Sequence, residues 1–503
     1  MKKLTIYSLL LLTMGFGSCK KFLDEYSQDA IRPGTVADLS ALMYSDAYPY
    51  QTLIDNFEML TDDIQSNGVA RGTTGEQIPA YATALINGSA MFKFDPNMFE
   101  VGSVFPNSAN AYSIYYAKIK GCNVVIDALE TVSGSQAEKD AIKGQCLFLR
   151  AYYYLKLVTT YAQPYSGAGI VPESAMGVPL VLSSQVRDGG LARSSLKQTY
   201  DQIEIDLLAS IELMKVNYFP SSSFRVGTTA AYALLSRFYL YRALNTDWDK
   251  VISYAGLALQ QNSNLTSLVT FISTTGVPIN AGLFNSGNPE IIWLYGLNPN
   301  SDNATYYPSL TINTVPPYTA SNELITSYEQ GPTTTNYGDL RYKTYFSNYN
   351  SVIPYRTGKA LSNASYGTKG LRVGEIYLNR AEALIKRFLI TGNAADKTQA
   401  LADLNTLRVT RYDTRTTAYK TVAIDDAAAL FKFCQDERRR ELCLEDGHRW
   451  VDIKRWGLPV THVFTSTDGS TATYTLASGS NLYALPIPAT AIATNSDLRQ
   501  NPR

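Results

Sequence analysis

Two histidines in 503 residues leave little material for imidazole catalysis or for zinc. They are His448 and His462, and no Cys/His cluster has zinc-ligand spacing. Catalytic signatures are missing too: there is no HExxH, no GxSxG, no phosphate-binding P-loop and no GxGxxG opening a helix. Nothing in the motifs calls for a metal or a cofactor. An excess of charge of either sign is absent, with 44 Lys+Arg against 44 Asp+Glu. Nucleic-acid binding rests on basic patches that neutralise phosphates, and a balanced chain gives no reason to expect it. Tryptophan is scarce, four residues beside 36 Tyr and 18 Phe. Tyrosine suits half-buried positions, where the ring packs and the hydroxyl reaches water or a polar ligand. Cysteine is scarce as well, and the four beyond Cys19 are too few for a disulfide scaffold. Cys122 and Cys146 lie at matching distances either side of "VSGSQAE" (132–138) and could face each other across a helical hairpin. Two small residues packing where helices come close is the expected reading.

What is present begins with "MKKLTIYSLLLLTMGFGSC" (1–19), two lysines, a short apolar run, then Gly17 and Ser18 before Cys19. This is an export signal, too short to span a membrane as a helix. Small residues directly before a cysteine resemble the bacterial lipoprotein signal, although Phe16 stands where Leu is more common. On that reading residues 1–18 are removed and Cys19 carries the lipid anchor. Cleavage takes away two lysines and no acid, so the mature side chains sum to −2 and the exclusion of nucleic acid stands.

Helical spacing recurs along the mature chain. In 112–130 the residues Ile114, Ala117, Ile119, Cys122, Val125, Ile126 and Leu129 form an apolar stripe, and a second helix follows over 141–162. The pattern returns over 229–260, and again over 371–389 with 394–412. Helix pairs of this size look like degenerate tetratricopeptide-type units, which predicts a curved helical scaffold within one domain covering 19–503. Residues 62–110 and 261–365 differ: they are rich in Ser, Thr, Asn, Gly and Pro and predict long loops with short strands such as "EIIWLYG" (290–296). Structured loops on a rigid scaffold usually carry function.

The densest stretch is "ERRRELCLEDGHRWVDIKRWG" (437–457). On a helix, Leu430, Cys434, Glu437, Glu441 and Leu444 share a face, so two carboxylates lie among apolar residues. Burial and mutual repulsion would raise their pKa values, which is how an acid/base pair is built. Alternatively arginines neutralise them, from Arg438, Arg439, Arg440, Arg449 and Arg455 nearby or from Arg372 and Arg380. With so many arginines and no second catalytic motif, structure is the expected role. Trp450, Ile453 and Trp456 fall along one side of the following helix, which predicts packing. "NSDNATYYP" (300–308) offers oxygen ligands for calcium but lacks the full loop pattern.

The same stretch closely resembles the C-terminal signature of the SusD/RagB family, surface lipoproteins of Bacteroidetes that capture nutrients. "CKKFLDE" (19–25), "FLRAYYYLKLVTTYAQ" (148–163) with "GVPLV" (177–181), "AAYALLSRFYLY" (230–241), "NPEIIW" (288–293), "ELITSY" (323–328) with "GDLR" (338–341), "LRVGEIYLNRAEAL" (371–384) and "LPIPATAIATNSDLRQNP" (485–502) resemble family segments in family order. Val451, where an aromatic is common, and a C-terminus at Arg503, where members often end Gly-Tyr, are departures. The resemblance implies a mostly α fold with four tetratricopeptide-like helix pairs packed against a loop-rich half. It implies a non-catalytic, lipid-anchored outer-membrane protein that serves as the lid of a SusC-like TonB-dependent transporter and takes up a glycan or, in some members, a peptide. A surface glycan hydrolase using paired carboxylates is the competing class. Sugars present apolar faces and hydroxyl rims, so a binder needs aromatic platforms beside polar groups. The tryptophans all have packing explanations, which leaves Tyr81, Phe92, Tyr306, Tyr307 and Tyr318 in the loop-rich regions as expected platforms, with Asn67 as a polar partner.

Overall fold

The computed structural model describes residues 33–49, 57–69, 76–100, 111–186, 188–276, 282–296, 316–333, 335–346 and 369–503. Nine helices that matter for the argument are α1 (Tyr112–Ala128), α2 (Gln136–Tyr161), α3 (Leu196–Met214), α4 (Thr228–Arg242), α5 (Trp248–Gln261), α6 (Val373–Thr391), α7 (Ala394–Val409), α8 (Ala427–Leu442) and α9 (His448–Trp456). Their starts follow from the sequence. Ser135 and Ser195 accept hydrogen bonds from the backbone N–H of Glu138 and Gln198, whose side chains reach back to close a capping box. Asn393 and Asp426 cap α7 and α8 through their side-chain oxygens.

Each helix packs on the next: α1 on α2, α2 on α3, α3 on α4, α4 on α5, α5 on α6, and α6 on both α7 and α8. Glycine permits the approach of α2 to α3. A Cβ at Gly144 would lie 2.6 Å from Met214 Cγ and 3.1 Å from Ser210 O, so α2 and α3 can touch only where α2 has no side chain. One hydrophobic cluster extends from Val36 through α1–α5 to Leu498, and a smaller one fills the space between α6, α7 and α8 around Leu378, Leu404, Leu430 and Cys434. Cys122 and Cys146 are buried free thiols, and burial pushes that of Cys122 up to about 12. No helix among the described residues is long and apolar enough to cross a membrane.

Strands are short and pair two by two, all antiparallel: Ile64–Ser66 with Tyr318–Ala320, Ile291–Tyr295 with Lys369–Arg372, Gln330–Thr333 with Asn336–Gly338, and Val460–Thr465 with Thr471–Leu476. The molecule is therefore mostly helical with a few ladders, as the sequence predicts. Two elements depart from expectation. Residues Pro79–Phe92, in a stretch read as loop, form a helix with Pro79 in its first turn. Its sequence is apolar nearly all round, with Gly88 and Ser89 in the last turns, and therefore shows no one-sided stripe. Helix α3 lies outside the expected helix pairs, and its capping box with the buried Leu196, Tyr200, Ile203 and Leu207 accounts for it.

Candidate functional site

The 437–457 stretch folds as the end of α8, a tight turn and α9. Leu430, Cys434, Glu437 and Glu441 all face inward, as helical phasing predicts, and both carboxylates are 0% exposed. Glu437 is held by Arg341 at 2.7 Å, by Arg440 at 2.8 Å, and by Arg408. Glu441 accepts from Arg372 at 2.6 Å, Arg411 at 2.9 Å and Arg341 at 3.0 Å, with the Tyr345 hydroxyl 3.2 Å away. The network continues through Glu290, which Arg411 and Arg372 share at 2.6 and 3.0 Å, and through Asp339 and Glu445, paired with Arg341 and Arg372. Burial alone would raise the Glu441 carboxyl, but the Arg411, Arg372 and Arg341 guanidinia outweigh it and hold the group well below the usual carboxylate range. For Glu437 the guanidinia of Arg341, Arg408 and Arg440 reverse the effect of burial in the same way. An acid/base pair needs a carboxyl that is reachable and carries its proton near neutrality. These two are ionised and enclosed.

The neutralising arginines are only partly those the sequence points to. Arg372 and Arg440 act as expected. Arg438 instead binds Asp452, Arg439 binds Asp63 and Glu323, Arg449 binds Asp62, Arg455 binds Glu382 and Asp452, and Arg380 binds Asp403. Arg341, Arg408 and Arg411 escaped sequence reading, although "GDLR" and "LRVTRY" place them beside Asp339 and at the end of α7.

Both histidines are structural. His448 sits 2.8 Å from the Tyr241 hydroxyl, and burial followed by the charges of Arg237, Arg438 and Lys156 pulls it well below its ordinary value. His462 is stacked between Phe92 and Phe94 at 4.0 and 4.7 Å, its ring nitrogens 2.6 and 2.9 Å from the carbonyls of Phe92 and Thr61. Trp248, Trp293 and Trp450 are buried, and the half-buried Trp456 donates to Glu382 at 3.2 Å.

Of the expected ligand residues, Tyr306 and Tyr307 lie outside the described residues, as does the 300–308 calcium candidate. The structure brings Asn67, Phe92 and Tyr318 together at one small ladder. Ser66 is opposite Tyr318, and the Asn67 backbone N–H donates to Pro317 at 2.7 Å. Asn67 is half-buried, its amide donating to Pro316 O and Thr319 Oγ1 at 3.0 Å each and accepting from Gln65 at 2.9 Å. Phe92 and Tyr318 touch, with ring centroids 5.3 Å apart, and Tyr81 lies on the same helix as Phe92. Tyr81, Phe92 and Tyr318 are nevertheless 4, 1 and 0% exposed, which corrects the expectation that they present open platforms. The reason is the helix Pro79–Phe92, which carries Tyr81 and Phe92 and packs on Tyr318 through the Phe92 ring and the Leu85 carbonyl. Tyr318→Phe is accordingly expected to lower unfolding free energy by about 1–2 kcal/mol, because the hydroxyl that donates to the buried Leu85 carbonyl at 2.7 Å is lost. Chemical denaturation measures this, and an unchanged midpoint would contradict the packing role.

Residues 21–240 match a family profile described as starch-binding and associating with the outer membrane, and residues 301–503 match the profile of the SusD family. No curated protein matches the chain. Among solved structures, a SusD-like carbohydrate-binding protein from Bacteroides vulgatus aligns with TM-score 0.63 at 19% identity, covering 92% of this chain and 97% of that one. A SusD superfamily protein from Bacteroides thetaiotaomicron gives 0.63 at 20% identity over 93% and 100% of the two chains. One from Bacteroides fragilis gives 0.66 at 19% identity over 92% and 99%.

Proposed function

Because the chain belongs to the SusD family, we propose that it binds a glycan nutrient at the outer-membrane surface, leaves it chemically unchanged, and hands it to a SusC-like TonB-dependent transporter as that barrel's lid. Cys19, lipidated after residues 1–18 are removed, tethers the chain, and residues 19–503 act as one unit. The observation that carries the non-catalytic part is the state of Glu437 and Glu441. The two carboxylates make six ion pairs with five arginines in the interior around α8. The helical stack α1–α8 supplies the rigid frame, and the ladder of Ile64–Ser66 with Tyr318–Ala320 supports the loop-rich face where the ligand is taken up.

On this reading Tyr306 and Tyr307 are the platforms and Asn67 a polar partner, while the buried Tyr81, Phe92 and Tyr318 serve packing. Changing Tyr306 and Tyr307 jointly to Ala is expected to weaken binding by about tenfold or more, which corresponds to roughly 1.4 kcal/mol, while the melting midpoint stays put. An array of immobilised neutral and acidic polysaccharides and of peptides, read with the intact protein, provides the measurement. Unchanged glycan affinity in the double variant removes the two tyrosines from the site. Capture of peptides alone replaces the glycan, and sustained release of reducing ends overturns the non-catalytic reading.

A further inference from the structure

A cavity of about 500 Å³ opens between the first turns of α1 and the C-terminal helix Ala489–Thr494. That volume falls in the range of small-molecule pockets. Tyr112, Pro179, Pro488 and Leu498, all buried, are among its deeper residues, and the half-buried Tyr116, Val181, Leu191 and Ala491 complete the apolar part. Exposed Ser113, Thr490 and Thr494 stand around it. No Asp, Glu, Lys or Arg is among the lining residues.

The polar atoms that could have bound a ligand inside are already engaged. The Tyr116 hydroxyl donates to Pro179 O at 2.9 Å, and the side chains of Tyr112 and Tyr116 are hydrogen-bonded to one another. The Asn495 amide accepts from Leu191 N–H at 3.0 Å and donates to Leu191 O at 2.9 Å. Arg193, the cation whose charge reaches both tyrosines, spends its guanidinium on Gly177 O, Tyr161 O and the Asn501 side chain at 2.7, 2.9 and 2.7 Å. An ion entering here would lose its hydration and find no charged side chain on the lining, the N–H groups of the nearby Arg193 being taken by other acceptors. A free sugar would bury hydroxyls against carbon. An apolar body gains what these groups cannot, since the two tilted rings of Tyr112 and Tyr116, 4.9 Å between centroids, give it a face to pack on.

We propose that this cavity is a second binding site, for an uncharged amphiphile whose aliphatic or aryl body packs against Tyr112, Tyr116 and Leu498 and whose hydroxylated head stays at the Ser113, Thr490 and Thr494 rim. Its lining comes from α1, the segment between α2 and α3, and the C-terminal residues 488–498, with none from 62–110 or 261–365, so glycan uptake at the loop-rich stretches and occupancy here are separable.

The test uses the intact protein with octyl glucoside below its micelle concentration, methyl glucoside as the head alone, and octanoate as the charged tail, read by calorimetry. Octyl glucoside is expected to bind one to one, methyl glucoside not to bind at this site, and octanoate to bind at least tenfold more weakly. Ala491→Trp fills the cavity and is expected to weaken octyl glucoside at least tenfold. Thr494→Trp, on an exposed position at the rim, repeats the block should the first variant fold poorly. Failure of the wild-type protein to bind octyl glucoside overturns the proposal. So does equal binding of methyl glucoside, or undiminished octyl glucoside binding in both tryptophan variants. Loss of glycan binding on the array, with octyl glucoside still bound, would count against the glycan reading and leave this site standing.

Discussion

Replacing Glu441 with Ala is expected to cost about 3–5 kcal/mol of unfolding free energy, the range seen when one member of a buried ion network is removed. The physical reason lies in what stays behind. Arg372, Arg411 and Arg341 all touch this carboxylate at 3.0 Å or less and are themselves 1, 0 and 0% exposed. Glu290, Glu445, Asp339 and Glu437 still contact them, but each of the three buried guanidinia loses a close ion pair and a hole is left where water has no easy entry. Four distant segments meet at Glu441: the start of the Ile291–Tyr295 strand through Glu290, the 339–341 turn, the Lys369–Arg372 strand, and the end of α7 through Arg411. The loss is thus one of tertiary docking more than of the helix. Glu441→Gln keeps the shape and some hydrogen bonds without the charge and is expected to fall between wild type and Ala. Urea unfolding at neutral pH measures both, with glycan selectivity unchanged in whatever fraction folds. An Ala variant as stable as wild type would mean the carboxylate is not paid for by its arginines and would reopen a catalytic role.

How much of this was legible follows from the range over which each interaction acts. The shared face of Leu430, Cys434, Glu437 and Glu441 is a local matter of spacing, and it was readable. That Glu441 would be met by Arg341 and Arg411 was not, because they are 100 and 30 residues away and sit in turns with no periodic pattern. The helix pairs α1/α2, α4/α5 and α6/α7 were visible for the same local reason, from apolar stripes interrupted by Ser/Gly or Asn turns. Tyr318 shows the opposite case. Its three-residue strand carries no alternation long enough to detect, and its burial depends on a partner strand more than 250 residues earlier and on a helix hidden in an apolar, Gly-containing run. An aromatic in a Ser/Thr-rich stretch therefore looked exposed while serving as core. Composition located the region, and only the ladder decided which way the ring points.

Acid is expected to unfold the protein in two stages, and the histidine stage comes first. His448 is held well below its ordinary value of 6.5 in the folded chain, so the unfolded chain takes up the proton first. Stability from this group is complete above pH 6.5 and falls as pH drops below it, by about 1.4 kcal/mol for each pH unit until the folded-state group titrates. His462, lowered by burial against the pull of its two carbonyl partners, adds in the same direction. Below pH 4.5 the depressed carboxyls of Glu441 and Glu437 join, since their ion pairs are intact only while they are ionised, and the slope steepens. Asp63 and Asp403, whose carboxyls burial raises, oppose the trend, but each is one group against a connected network of guanidinia. Urea midpoints taken from pH 7.5 down to pH 4 should decline from about 6.5 onward, and His448→Gln should flatten the upper part of that decline while leaving the steep lower part. A flat profile between pH 6.5 and 5 would show that His448 accepts a proton inside the fold, which would require Glu375, 3.9 Å from its ring, to act as its counter-ion.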